Sequence, residues 1–479
     1  MNVKLKMKGK KLVSLLLCIC IAMSFLPRLA LPYDRVEAGQ LRATEPLSRP
    51  AAGTSRDEIL EYYGNGAFGD TSLTFEERAA DLVSRMTPAE KQDQLLAFWG
   101  QPRGAVPTLG IQANRWWKEA LHGIGREGKA TSFPSPLNMA SMWNPDLMLK
   151  IGIAISNEGR YHSNAGHNAS PGNSLTYWSP TINLHRDPRW GRNEESMGED
   201  PYLAGVTATM FVSGMQGDER TAELDPYYDP KYLKTAATMK HFAANNSEGN
   251  RHGGETDIDD RVLREYYLNV FQQVAENTDV EGTMTAYNKV NRVPAPANTY
   301  LVDDLLRKTW GFNGHVVSDC GAVQDIVNGA NGLWQYTEES PAQMSAARSI
   351  RAETDMNCSF SNVYNSNTLA AIDSGDMTED DMDRALLRAF TERMRTGEFD
   401  PPEENKYRTI PDVLEAEPHL ELSKQSSLES LTLLKNEVPA TPQSTDKKIL
   451  PVDLDSVPDG GTIVMVGDFA NYFELGDYS

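Results

Sequence analysis

Cysteine is nearly missing from this sequence, with four among 479 residues. Cys18 and Cys20 fall in an N-terminal stretch of distinct character, which leaves Cys320 and Cys358. Two cysteines can form at most one bridge, so no disulfide framework builds the fold. Neither a CxxC nor an HExxH spacing occurs, and no metal or redox cofactor is expected. Positive charge is also scarce: 46 Lys and Arg stand against 67 Asp and Glu, a formal net charge of −21. Such a surface repels phosphates and anionic headgroups, which excludes nucleic acid and membrane lipid as partners but leaves a neutral sugar unopposed. The composition is otherwise that of a folded soluble chain, 40% hydrophobic and 24% charged.

Long apolar runs are missing as well, save one. Residues 13–26 are apolar, follow Lys4, Lys6, Lys8, Lys10 and Lys11, and stop at Pro27. The run is short for a membrane span and right for an export signal cleaved near Ala38, with an uncleaved anchor as the alternative. Residues 1–39 carry a net +5, so the remainder carries −26. The chain then divides into a polar lead-in over 40–73, a strand–helix alternation over 74–399, a Pro- and Glu-rich linker over 400–435, and a last unit over 436–479.

Folded structure is expected from Thr74, where FEERAADLVSRMTPAEK has helical spacing. Strands are expected in YLKTAATMKHF, ending at Lys240 and His241, in VEGTMTAYN, ending near Tyr287, in GHVVSDC, ending at Asp319, and in SIRAETDM. Helices are expected in VTATMFVSGM, RVLREYYLNVFQQVAEN and LVDDLLRKTW. This alternation implies an α/β fold with a parallel sheet, and its length favours a (β/α)8 TIM-type barrel. Chemistry in such barrels gathers at the C-terminal strand ends, where Lys240, His241, Tyr287 and Asp319 all fall. GTIVMVGDF reads as a buried strand that opens an α/β sandwich unit, which looks cut short at Ser479.

Glycoside cleavage needs a carboxylate held in place and polar groups that fix sugar hydroxyls. Asp319 suits the first need, and neighbouring cations are expected to lower its pKa; capping the next helix is the plainer reading. Lys240 and His241 are adjacent and would face opposite sides of a strand unless the backbone bends at the rim. In HRDPRWGRNEESMGEDPYLAG, Asp200 and Pro201 open a helix, Glu194, Glu195 and Glu199 can pair with Arg189 and Arg192, and Trp190 packs beneath the loop while Arg192 reaches the sugar. RWWKEALHGI supplies Glu119, His122 and two tryptophans, which suit either a sugar ring or the core.

WWKEALHG, DPRWGR with GEDPYL, KHF followed by Asn and Arg251, TAYN, and GFNGHVVSDCGAV occur in that order, and together they resemble glycoside hydrolase family 3. The resemblance runs from about Thr74 to Ser479. It implies a (β/α)8 barrel followed by an α/β sandwich domain and hydrolysis of β-glycosides with retention. It makes Asp319 the nucleophile, has Arg192, Lys240 and His241 bind sugar hydroxyls, and puts Arg251 and Tyr287 in the same −1 subsite. Glu119 and Cys320 stand where glucosidase-like members carry Asp and Trp, which points to the β-xylosidase-like branch and a xylo-oligosaccharide substrate. The family's two-domain members hold the acid/base glutamate in the sandwich, and this sequence offers no candidate for it. Three rival readings remain: a β-glucosidase, a catalytically incomplete sugar-binding protein, and a single-domain N-acetylglucosaminidase, which would use His252 but lacks its DSH element.

Overall fold

A computed structural model of the chain describes residues 67–97, 102–166, 174–328, 340–359 and 363–438, with scattered positions from 448 onward. The expected export signal, most of the lead-in and most of the expected sandwich unit lie outside the described residues.

Four strands form a parallel sheet in chain order: β1 (Thr176–Tyr177), β2 (Ala236–Phe242), β3 (Gly282–Thr285) and β4 (His315–Ser318). Parallel bridges extend the ladder at both ends, Lys118 to Tyr177 on one side, and Val317 to Met356 and then Asn357 to Leu96 on the other. Among the described residues no pairing joins Leu96 to Lys118, so the expected eight-stranded closure is not drawn by hydrogen bonds. Every residue of β1–β4 is buried. That explains why these strands read as continuous apolar or small-residue runs rather than alternating ones.

Helices cover the sheet. Pro145–Asn164 packs along Pro201–Gln216 with the two backbones in near contact. A Cβ on Gly214 would lie 2.4 Å from Leu149 O and 2.8 Å from Gly152 Cα, so glycine is required at that crossing. Pro201–Gln216 begins as its sequence dictates, with Asp200 accepting the Leu203 N–H at 2.7 Å.

Several elements depart from expectation. FEERAADLVSRMTPAEK is two helices, Phe75–Ser84 and Pro88–Gln94, because Thr74 and Thr87 each form a capping box and the second one restarts the chain. Ser349 to Arg351 end the helix Pro341–Arg351, and of the segment expected as a strand only Met356 bridges to a neighbouring strand, followed by Asn357 just beyond it. Two expected helices carry π-type turns, over Leu263–Tyr267 and Tyr300–Thr309. The strand of VEGTMTAYN stops at Thr285, and β4 stops one residue before Asp319. The stretch over 400–435 is folded onto the body: Asp400 pairs with Arg78 with both side chains fully buried, Tyr407 is buried, and Glu417–Glu429 places His419 Nδ1 2.8 Å from Glu158.

The two ends of the sheet differ in chemistry. At the N-terminal end His315 Nδ1 meets Glu392 at 2.5 Å and Glu281 pairs with Arg395, ion pairs that tie β3 and β4 to the helix Glu379–Arg395. The candidate site lies at the opposite end.

Candidate active site

The register of β2 against β3 shifts between Lys240 and Phe242: Lys240 pairs with Met284 and Phe242 with Thr285, so His241 is an extra residue. A bulge of this kind turns consecutive side chains away from strict alternation. Lys240 and His241 can therefore serve one site: Lys240 Nζ reaches Glu119, and His241 Nε2 lies 3.7 Å from Asp319 Oδ2.

Asp319 follows β4 directly, its own N–H donating to Thr285 O at 3.0 Å. Its Oδ1 accepts the Cys320 N–H at 2.7 Å, while Oδ2 is buried with no hydrogen-bond partner among the described residues. The carboxylate thus takes only the N–H of Cys320, which precedes the helix Ala322–Asn328, and this argues against simple capping. Burial pushes the carboxyl above the ordinary aspartate value, and Arg192, the Cys320 N–H, Arg251 and Lys240 pull it down by less. The expectation that neighbouring cations lower it is corrected here: they surround it, but desolvation is the larger effect.

Arg192 is fixed by a two-pronged pair with Glu195, Nε to Oε1 and Nη2 to Oε2, both at 2.7 Å. Its remaining Nη1 lies 3.2 Å from His241 Nε2. A guanidinium only donates, so Nε2 must accept and carries no proton. The other nitrogen, Nδ1, then holds the proton and donates to Asn183 Oδ1 at 3.2 Å. Burial, and after it the Arg192 charge, push His241 well below the usual imidazole value, which agrees with a neutral ring.

Glu119 accepts from Lys240 Nζ on both oxygens, at 3.1 and 3.0 Å, and from Trp117 Nε1 at 2.7 Å. Trp117 stacks on Trp178 with ring centroids 5.7 Å apart, whereas Trp116 is buried against His315. Arg251 stands over the Tyr287 ring, 4.8 Å from its centroid, and pairs with Glu248, which also accepts from Trp190 Nε1. The Tyr287 hydroxyl donates to Cys320 O at 2.8 Å. Burial, then the Asp319 carboxylate, raise its pKa, so it stays protonated as a donor.

All seven residues picked from the sequence therefore meet at one end of the sheet. Arg189 does not pair with the glutamates expected for it but with Asp187. Sequence reasoning missed Asn183, which holds His241 from 58 positions away, Glu248, which pairs with Arg251 three residues on, and Asp325, which pairs with His252 beside Tyr287. The one bridge available to the cysteines is formed: Cys320 and Cys358 are disulfide-bonded, beside Asp319. Among the described residues no group of His, Cys, Asp and Glu is arranged to hold a metal ion.

A sequence model described as the glycosyl hydrolase family 3 N terminal domain matches residues 105–391. A probable exo-1,4-beta-xylosidase of Neosartorya fischeri is 35% identical over 421 residues, covering 84% of this chain and 49% of that protein. A xylan 1,4-beta-xylosidase of Xylanibacter ruminicola is 33% identical over 377 residues, covering 77% and 42% respectively. Among solved structures, a GH3 exo-beta-xylosidase in complex with a xylobiose aziridine activity-based probe superposes with a TM-score of 0.70 at 30% identity, over 83% of this chain and 50% of that one. A beta-glucosidase of Erythrobacter marinus superposes with a TM-score of 0.64 at 26% identity, over 77% and 51%. The chain spans about half the length of the relatives it matches. Its α/β fold is TIM-like, the curated relatives named above are β-xylosidases, and it belongs to glycosyl hydrolase family 3.

Proposed function

We propose that this chain carries the sugar site of an exported retaining β-glycosidase that removes terminal β-D-xylosyl residues from xylo-oligosaccharides. Asp319 Oδ2 attacks the anomeric carbon, the glycosidic oxygen leaves with a proton, and water later displaces Asp319 to release xylose with its configuration retained. The proton is handled by an acid/base group outside the seven residues assigned here. Arg192, Lys240 and His241 hold the sugar hydroxyls, and Arg251 and Tyr287 wall the same subsite. The observation that carries this reading is the buried, unpartnered Asp319 Oδ2 amid Arg192, His241, Arg251 and Lys240. A desolvated carboxylate oxygen without a partner is costly in a folded protein unless a ligand uses it. The xylose preference rests on Glu119, whose carboxylate is pinned by Lys240 and Trp117, and on relatives named as xylosidases. A hexose hydroxymethyl group would need the space such a carboxylate fills. The proposed architecture is a (β/α)8 barrel followed by α/β sandwich material over 436–479, with export directed by residues 1–39.

The test is trapping with a 2-deoxy-2-fluoro-β-xylosyl donor bearing a good leaving group, followed by peptide mass mapping. One xylosyl adduct on the peptide containing Asp319 is expected. An adduct on another carboxylate would overturn the assignment. A β-glucosidase is the second reading, favoured by the likeness to the Erythrobacter marinus enzyme.

A further inference from the structure

Outward from Asp319, beyond Arg251 and Tyr287, lies a second pair that the proposed chemistry leaves unused. His252 Nδ1 is 2.8 Å from Asp325 Oδ2, joining the loop after β2 to the helix Ala322–Asn328 that follows Asp319. The two partners are unlike: the Asp325 side chain is 13% exposed and the His252 side chain 53%. The imidazole also meets the Tyr287 ring edge-on, with centroids 4.5 Å apart. Tyr287 in turn donates to Cys320 O, next to Asp319. The Asp319 charge is among the causes that push Asp325 above the ordinary aspartate value, after its burial, so the two carboxyls share one electrostatic neighbourhood.

The order of exposure reads outward from the nucleophile. The Asp319 side chain is 12% exposed and Arg251 is 32%; His252 is the most open of the series. A pocket that cleaves a terminal sugar holds that sugar deepest and lets the leaving group point to the mouth. His252, packed on Tyr287 and the most exposed of these side chains, is the one set on the outer side. An ionised carboxylate only accepts, so Nδ1 carries a proton toward Asp325, and Nε2 is left to exchange a hydrogen bond with a ligand. Asp325 and Tyr287 fix the ring in that orientation, so little freedom is lost when a ligand uses it.

We infer that His252 Nε2 makes a hydrogen bond with a hydroxyl of the sugar on the leaving-group side, and that Asp325 is its positioning residue. The ligand class is a neutral pyranose or furanose with a free hydroxyl near the cleaved bond. An aryl leaving group has no such hydroxyl. This rests on the glycosidase reading above, and it assigns a role in which His252 neither attacks nor transfers a proton.

The test uses the full chain with a disaccharide and an aryl glycoside of the same terminal sugar. His252→Ala is expected to lower kcat/KM for xylobiose by about 3- to 10-fold more than for p-nitrophenyl β-xyloside, the range for one lost neutral hydrogen bond. His252→Gln should recover part of that ratio, and Asp325→Asn should lose part of it, with the loss appearing in KM rather than kcat. Calorimetry in an Asp319→Asn background supplies a second readout that needs no turnover: His252→Ala should weaken xylobiose more than xylose. Equal losses on both substrates, together with equal weakening of xylose and xylobiose, would overturn the role of His252. Where the wild type prefers glucosides, the same comparison between cellobiose and aryl glucoside applies, a larger loss on cellobiose supporting the role and equal losses overturning it. A wild-type chain that cleaves and binds none of these sugars would overturn the glycosidase reading itself, and this role with it.

Discussion

Lys240 Nζ lies 3.1 and 3.0 Å from the two oxygens of Glu119, and each side chain is 2% exposed. Burial pushes Glu119 above the usual glutamate value, with Lys240 the largest opposing influence. The pair is held in balance: remove the cation and an unpaired carboxylate stays buried. Lys240→Met is therefore expected to cost about 3–5 kcal/mol of stability at neutral pH. Lys240→Met combined with Glu119→Gln should recover much of it. The sign of the pH dependence follows. In the single variant Glu119 protonates more readily folded than unfolded, so its penalty is present at neutral pH and fades on acidification. Denaturation midpoints across pH 4–8 would show the gap closing toward the acid end; a constant gap would contradict it.

Glu119 is also the residue that sets the sugar preference in the proposed function. Aryl β-xylosides are expected to surpass aryl β-glucosides by about 10- to 200-fold in kcat/KM, the usual value of one misplaced group in a tight pocket. Glu119→Asp, shorter by one methylene, should narrow that ratio chiefly by improving the glucoside. A wild-type ratio that favours glucoside would put the chain in the β-glucosidase reading.

Asp319→Asn is expected to abolish steady turnover, a loss of several orders of magnitude, while preserving ligand binding. The stability effect runs the other way. The folded pKa of Asp319 is raised, so the ionised side chain destabilises the folded state above that value and ceases to do so below the unfolded value. The variant should melt at or above the wild-type temperature near neutral pH, with the difference shrinking as pH falls through the folded pKa. The acid limb of kcat/KM should correspondingly lie above the ordinary aspartate value. A variant that melts several degrees lower at neutral pH would mean the carboxylate is structural.

How much of this was legible in the sequence varied with the range of the interaction. Three strands of the parallel sheet were readable, because burial on both faces leaves runs of apolar and small residues, as in residues 236–239, whereas the two-residue strand Thr176–Tyr177 was too short to show. The start of Pro201–Gln216 was readable because Asp200 and Pro201 act locally. The break at Thr87 was hidden by continuous helical spacing, although Thr87 and Glu90 form the same capping box as Thr74 and Glu77. The seven site residues could be named from motif and strand end. Glu195, three residues from Arg192, could be named as its partner, but partners from distant segments could not. Asn183 meets His241 across 58 positions and Asp325 meets His252 across 73. No periodicity encodes such a contact. The net direction of the Asp319 pKa was out of reach for a similar reason, since charges can be counted in a sequence but burial of one oxygen cannot.

The disulfide between Cys320 and Cys358 supports the last prediction. It closes a loop with a sequence separation of 38, worth about 3–4 kcal/mol in the chain-entropy account. Its location matters more than its loop. The Cys320 N–H donates to Asp319 Oδ1, and the Cys320 carbonyl accepts from Tyr287. Cys358 itself is fully buried, and its neighbours Met356 and Asn357 bridge to Val317 and Leu96. The bridge thus ties the backbone that aims Asp319 to the next segment of the sheet. Reduction, or Cys320→Ala with Cys358→Ala, should lower the melting temperature by several degrees and reduce kcat on an aryl glycoside by about 10-fold or more, because a nucleophile misplaced by a fraction of an ångström loses alignment. Dithiothreitol should slow the wild type and leave the double variant unchanged, which separates loss of the bridge from any general effect of the reductant. If reduction lowers the melting temperature while kcat at 25 °C stays at the oxidised value, the bridge stabilises the fold without positioning Asp319.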